Sequence, residues 1–105
     1  MSNSTAGGYL MGIDFGTESV RVALFDTKGT PITFAATPYK TTHPRPGWAE
    51  QDPGEWLACL QASCHRVMEN SGISASKILG ISYDATTSTV VPLDKNGEAL
   101  RPAIM

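Results

Sequence analysis

The sequence lacks the features that mark several large classes of protein. Its 105 residues hold 8 Lys and Arg against 10 Asp and Glu, so there is no basic surplus to bind nucleic acid. No apolar run approaches the roughly 18 residues that a membrane span needs. The first eight residues, MSNSTAGG, have neither the basic nor the apolar region of a signal peptide. Nucleic acid and membranes are therefore not expected partners.

Cysteine and recognisable nucleotide loops are scarce as well. Cys59 and Cys64 are the only cysteines and make no disulfide framework, so we expect a reducing, cytoplasmic setting. His43 and His65 have no second ligand at metal spacing. The sequence contains neither the glycine-rich loop of P-loop ATPases nor that of dinucleotide-binding enzymes. With 41% hydrophobic residues, the composition indicates one small globular domain.

Short apolar segments separated by turns predict a β-sheet. Residues 1–8 are small and polar and indicate a loose leader. Residues 9–15 form an apolar strand, residues 19–26 alternate with the period of a strand, and residues 32–39 form a third. The short links between them predict an antiparallel meander. Residues 78–84 and 89–94 predict two further strands.

One helix is predicted between these groups of strands. Asp52 can cap its start, Pro53 suits its first position, and Glu55 is placed to reach back to the N–H of the cap. Gly72 ends it. The expected apolar stripe consists of Leu57, Leu60, Cys64, Val67 and Met68. A strand that follows such a helix is expected to lie parallel to the first strand, which gives an α/β mixed sheet with one face open.

The segment from Asp14 to Arg21 holds the sharpest chemical pattern. Asp14 ends a buried strand and could hold Mg²⁺, and Gly16 would let a phosphate approach the backbone. Thr17 and Ser19 supply hydroxyls beside the N–H groups of the turn, and Arg21 could neutralise a phosphoryl group in transfer. The alternative is an ordinary β-hairpin with polar surface groups.

Two further segments carry polar groups that could line a site. Residues 47–53 (GWAEQDP) include Trp48 in the loop before the helix. Asp84, followed by the hydroxyls of Thr86, Thr87 and Ser88, comes directly after a buried strand, where parallel sheets form ligand crevices. The alternative interpretations are a helix cap for the first segment and a polar turn for the second.

Taken together, the three segments resemble the N-terminal part of the FGGY carbohydrate kinases, which have the ribonuclease H-like fold of the actin-like ATPases. Residues 12–17 (GIDFGT), with Ser19 and Arg21, are similar to the phosphate-binding motif of that family, and residues 47–53 to its second signature. Residues 81–94 (ISYDATTSTVVPLD) resemble the ribulokinase branch. Glycerol kinases would carry Arg-Glu near Ala85 and Thr86, and xylulokinases Met-His, so a ribulose-type ketopentose is favoured. The resemblance covers residues 9–105.

The resemblance implies transfer of the γ-phosphoryl group of ATP to a sugar hydroxyl with Mg²⁺. By position, Asp14 would organise Mg²⁺ and phosphate, and Arg21 would stabilise the transferring group. The other implied roles are shaping of the phosphate-facing turn by Gly16, Thr17 and Ser19, and lining of the sugar pocket by Thr86, Thr87 and Ser88 with Asp84 and Trp48 nearby.

Members of the family have several hundred residues, and their catalytic base is an Asp downstream of anything in this sequence. The expectation is therefore a truncated N-terminal portion of the first kinase domain that is inactive alone. Two alternatives stay open. One is another phosphotransferase of the actin-like fold, and the other is a non-catalytic domain that binds phosphate or sugar, or self-associates through its uncovered sheet face.

Overall fold

The computed structural model describes residues 7–105, so the first six residues of the expected leader lie outside the described part. The strands are β1 (Tyr9–Phe15), β2 (Ser19–Asp26), β3 (Pro31–Pro38), β4 (Glu50–Gln51), β5 (Ile78–Ala85) and β6 (Ala103–Ile104). The helix α1 spans Pro53–Ser71, and a short 3-10 helix at Ala75–Lys77 leads into β5. None of the described helices is long and apolar enough to cross a membrane.

The main sheet is mixed, as the order of elements predicts. Its strand order is β3-β2-β1-β5, with antiparallel pairs β1–β2 and β2–β3 and a parallel pair β1–β5. A separate two-stranded sheet joins β4 to β6. Because β1 and β5 run parallel, their carboxyl ends meet at the same edge of the sheet. That edge brings the two predicted phosphate and sugar segments together.

The helix begins and ends where the sequence predicts. The carboxylate of Asp52 accepts a hydrogen bond from the N–H of Gly54, and Gly72 closes the helix in the left-handed region with φ of 70°. The predicted role of Glu55 is wrong, because its carboxylate accepts from the backbone N–H of Lys40 at 2.7 Å instead of reaching back to the cap. Glu55 therefore ties the preceding loop to the helix.

The core lies between α1 and the first strands of the sheet. Val20, Val22 and Leu24 on one face of β2 are completely buried, and Val67 of the helix packs in one cluster with Val22 and Leu24. The predicted apolar stripe is wrong at Leu57, which is 62% exposed, whereas Cys59 and Ser63 are buried. The reason is that α1 packs on β2 and β3 rather than across the whole sheet.

The predicted strand at residues 89–94 is also wrong. The segment forms only isolated bridges, between Val90 and Ile104 and between Leu93 and Ala99. Pro92 lies between them and has no N–H to give to a ladder, and its carbonyl accepts from Leu100 instead. The segment therefore folds back on the end of the chain and does not widen the main sheet.

Candidate functional site

Asp14, Arg21 and Asp84 form a polar cluster at the carboxyl-end edge of β1 and β5. Asp14 lies opposite Arg21 across the β1–β2 pair and opposite Asp84 across the β1–β5 pair. Paired residues of neighbouring strands project from the same face, so the three side chains share the face that α1 leaves open. The guanidinium of Arg21 donates to Asp14 Oδ2 in an ion pair. The structure thus brings together three residues that the sequence places in two separate motifs.

The pKa values of the two carboxyl groups in this cluster are shifted in opposite directions. A hydrogen bond with Asp84, helped by the positive charge of Arg21, lowers the pKa of Asp14. The same hydrogen bond, desolvation and repulsion from Asp14 raise the pKa of Asp84. Asp84 is therefore the member of the pair that holds a proton longer as pH rises, and Asp14 is the one that stays ionised.

The turn between β1 and β2 follows directly after Asp14. The N–H of Gly16 donates to Ser19 O at 2.9 Å, which closes the turn, and Thr17 and Glu18 stand exposed at its tip. A Cβ added to Gly16 would lie 3.0 Å from Arg21 Nη2. The missing side chain at Gly16 therefore makes room for the guanidinium of Arg21 beside the turn.

A buried glutamine that the sequence did not single out anchors this turn. Gln51 is 3% exposed, and its Nε2 donates to Thr17 O at 2.8 Å and to Thr41 Oγ1 at 2.9 Å. Its Oε1 accepts from Trp56 Nε1 at 2.8 Å. The only signal in the sequence is its place directly before the helix cap Asp52, which does not reveal that it reaches the turn.

The hydroxyl segment, Thr86 to Ser88, directly follows β5 at the same carboxyl-end edge of the sheet. The N–H of Thr86 donates to Phe15 O at 3.1 Å, and the hydroxyls of Thr86 and Thr89 are 3.2 Å apart. Ser88 has a φ of 64°, in the left-handed region that a residue with a Cβ seldom adopts. Thr86, Thr87 and Ser88 are all exposed, so their hydroxyls are accessible to a ligand.

A cavity of about 310 Å³ runs from the turn to this hydroxyl segment. Gly16 and Thr86 line it together with the rings of Tyr39, Trp56 and Tyr83. The Tyr39 hydroxyl is buried and hydrogen-bonds to none of the described residues, and burial raises its pKa to about 12. The cavity thus offers aromatic walls and hydroxyl groups beside the turn at Gly16.

Trp48 lies apart from these groups. It borders a different cavity, shared with Glu50 and Arg101, and the guanidinium of Arg45 lies 5.3 Å from the centroid of its ring. The structure therefore does not bring Trp48 together with Asp84 and Thr86, although the sequence places them in one sugar pocket.

The donor set at the edge fits a hard divalent cation that also contacts phosphate. Asp14 and Asp84 supply carboxylate oxygens on one face, and Mg²⁺ is commonly held by one or two carboxylates together with substrate phosphates. Within residues 7–105 there is no group of three or more acidic, histidine or cysteine side chains that could form an all-protein metal cage. The cluster is thus suited to a cation that arrives with a phosphorylated ligand.

Comparison with known proteins identifies relatives of the same kind. Residues 9–105 match the model of the N-terminal domain of the FGGY family of carbohydrate kinases. The ribulokinase of Shouchella clausii is 38% identical over 104 residues, which cover 88% of this chain and 18% of the relative. The L-xylulose/3-keto-L-gulonate kinase of Escherichia coli is 33% identical over 97 residues, which cover 92% of this chain and 20% of the relative. The chain therefore spans about one fifth of the length of the relatives it matches.

Solved structures show the same fold. The chain superposes with a TM-score of 0.87 on a crystal structure described as a xyloylose kinase from Brucella ovis, at 29% identity over 90% of this chain and 20% of the other. A xylulose kinase from Rhodospirillum rubrum gives 0.84 at 31% identity, over 92% of this chain and 20% of the other. The mixed sheet and the helix α1 match part of the ribonuclease H-like domain of the actin-like ATPases. By sequence and by fold, the chain belongs to the FGGY family of carbohydrate kinases.

Proposed function

We propose that residues 9–105 are the N-terminal portion of the first domain of a kinase that transfers the γ-phosphoryl group of ATP to a hydroxyl of a ketopentose such as ribulose. The observation that carries the proposal is the meeting of Asp14, Arg21 and Asp84 beside the turn at Gly16. A cation next to an exposed turn suits phosphoryl oxygens, and the adjacent carboxylates suit Mg²⁺.

Each residue of the cluster has a role in this mechanism. Arg21 stabilises the negative charge on the transferring phosphoryl group, and Asp14 holds Arg21 in place and supplies a ligand oxygen for Mg²⁺. Mg²⁺ held by the carboxylate of Asp14 would supply positive charge that offsets the negative charge of the phosphates. The N–H and hydroxyl groups of the turn, at Thr17 and Ser19, face the phosphates. We place the catalytic base outside these 105 residues.

The sugar is placed at the hydroxyl segment that follows β5. Exposed hydroxyls at Thr86, Thr87 and Ser88 suit the hydroxyls of a sugar, and the aromatic walls of the neighbouring cavity suit its apolar face. Ala85 and Thr86 stand where xylulokinases carry Met-His, which favours ribulose over xylulose. Asp84 orients the bound sugar from the edge of the sheet. Trp48 borders a separate cavity and has no place in this sugar site.

Alone, the 105-residue chain is proposed to be inactive, because it spans about one fifth of its relatives and we place the base in the remainder. A reducing, cytoplasmic setting is supported by the free thiols of Cys59 and Cys64. A second candidate function, self-association of a non-catalytic domain, is favoured by one observation. Ile81 and Tyr83 of β5 are large, apolar and exposed on the face on which α1 packs, at the part of it that the helix does not reach.

A chimera tests the kinase proposal. Residues 9–105 replace the matching segment of the Shouchella clausii ribulokinase, and ADP formation is measured with ribulose, xylulose and glycerol. We expect ribulose-dependent activity in the chimera and none in the isolated chain. In the chimera, Arg21→Gln should lower kcat by roughly a thousandfold. The matched control Lys95→Gln, at an exposed turn, should leave kcat unchanged. Ribulose-dependent ADP formation by the isolated chain contradicts its proposed inactivity, and a folded chimera that uses no ketopentose contradicts the substrate.

A further inference from the structure

The buried amide of Gln51 has its orientation fixed by its hydrogen bonds. Its two N–H groups donate to Thr17 O and Thr41 Oγ1, and its oxygen accepts from Trp56 Nε1. Rotating the amide by half a turn would place its oxygen against the Thr17 carbonyl, which is also an acceptor. The indole N–H would then face the NH₂ group, so the observed orientation is the one that satisfies every partner.

This orientation determines where the N–H of Glu18 points. The peptide bond is planar and the described chain contains no cis peptide, so the carbonyl of Thr17 and the N–H of Glu18 point in opposite directions. With Thr17 O held by Gln51, the Glu18 N–H is directed to the other side of the turn. The carbonyl of Glu18 is held in turn by the backbone N–H of Tyr39 at 2.9 Å. Two consecutive peptide planes of the turn are thus fixed from outside the hairpin.

The turn needs such an anchor because it is exposed. Thr17 and Glu18 lie at the tip of the hairpin, where water is the alternative partner for the Thr17 carbonyl. Losing the bond from Gln51 would leave that peptide free to rotate, and a rotated peptide presents an oxygen where it now presents an N–H. If the N–H donor becomes ordered only when the ligand binds, the entropy lost in ordering it lowers the affinity. A donor that is already ordered before binding avoids this loss.

We propose that Gln51 is a positioning residue for phosphate binding: it fixes the Thr17–Glu18 peptide so that the Glu18 N–H is preset for a phosphoryl oxygen. The proposal rests on the proposed function, which places phosphate at this turn. Gln51 does not contact the ligand itself, and acts through the backbone of the turn.

The test uses the ¹⁵N-labelled 105-residue chain, with pyrophosphate as the probe. Gln51→Met removes the donor without adding charge, and Gln51→Glu keeps an acceptor for Trp56 while losing the donor to Thr17 O. The control Trp56→Phe removes the bond to the amide oxygen and leaves the donor in place. In both Gln51 variants the Glu18 amide order parameter should fall from the rigid value of about 0.85 to below about 0.6. The affinity for pyrophosphate should drop about tenfold, and Trp56→Phe should change neither quantity.

The outcomes separate this proposal from the kinase assignment. A rigid Glu18 amide in the folded Gln51 variants, or equal loosening in Trp56→Phe, overturns it. If circular dichroism shows that neither Gln51 variant folds, Gln51 acts on stability and the proposal is also overturned. If pyrophosphate shifts no turn amide of the wild-type chain, the phosphate role of the turn in the proposed function fails. The relaxation data then still decide whether Gln51 fixes the peptide.

Discussion

Asp26 and Asp94 build the same turn with the same atoms. One carboxylate oxygen of Asp26 accepts from the N–H groups of Lys28 and Thr30, and one of Asp94 accepts from those of Asn96 and Glu98. The glycines of these turns, Gly29 and Gly97, have φ of 85° and 83°. The sequence shows this as an Asp followed three residues later by Gly, because the aspartate and the left-handed glycine are both local requirements.

The hydrogen bonds of Asp26 give stability that depends on pH. The N–H of Thr30, followed by that of Lys28, lowers the pKa of Asp26 in the folded chain. Its contribution is therefore fully present above the unfolded-state pKa, and it is lost as pH falls through the lower pKa of the folded state. Asp26→Asn keeps an acceptor oxygen but no charge. We expect wild type to exceed this variant in unfolding free energy at neutral pH, with the difference shrinking below about pH 4.

Urea unfolding at a series of pH values measures the difference between the two chains. A carboxyl titration by NMR in the wild-type chain serves as the internal control, since it gives the folded-state pKa of Asp26 directly. A constant difference between wild type and Asp26→Asn from neutral pH to acid would contradict the expected linkage.

At the scale of the elements, prediction succeeded where the signal is local. The bounds of β1 and β2 follow from their apolar pattern, and the ends of α1 follow from the Asp52 cap and Gly72. It failed where the answer depends on packing. Leu57 reads as core by its spacing, but the helix lies over β2 and β3, so Leu57 faces the uncovered part of the sheet. The spacing of apolar residues identifies the apolar side of a helix, but it does not show which part of the sheet packs against each helical turn.

The packing of α1 can be tested by comparing two of its residues. Val67 is fully buried against the sheet, so Val67→Ala should lower the unfolding free energy by about 2 kcal/mol through lost burial and the cavity it leaves. Leu57→Ala is the matched control and should change it by less than about 0.5 kcal/mol, because Leu57 is mostly exposed. Urea titrations give both values. If the two substitutions cost the same, the helix packs by a different face in solution.

At the scale of the whole molecule, the candidate site was only partly visible in the sequence. Asp14 and Arg21 are seven residues apart and belong to one motif, and the parallel pairing of β5 adds Asp84. Trp48 lies at a separate cavity and not beside Asp84, because β4 and β6 form their own small sheet. Gln51 was missed because its partner Thr17 is 34 residues away, and a long-range side-chain contact leaves no period or spacing to find.

The part of the main sheet at β5 that α1 does not reach gives a prediction for the behaviour of the chain in solution. Tyr83 is 74% exposed and Ile81 61%, and β5 is also an edge strand of the sheet, with unpaired backbone groups along its outer side. We expect the isolated 105-residue chain to self-associate through this part of the sheet. Sedimentation velocity at rising concentration should show a growing share of dimers or larger species.

Replacing both Ile81 and Tyr83 by Ser should shift the chain to monomer over the same range of concentration. Leu100→Ser is the matched control, since Leu100 is 65% exposed but lies outside the main sheet. A wild-type chain that stays monomeric throughout would contradict the prediction. Association that survives the double substitution but is lost on Phe34→Ser would instead assign the contact to the opposite face of the sheet. Phe34 is exposed on that face, which it shares with the Asp14 cluster. Because that face carries the proposed phosphate site, pyrophosphate should then compete with association, whereas association through the β5 face should be insensitive to it.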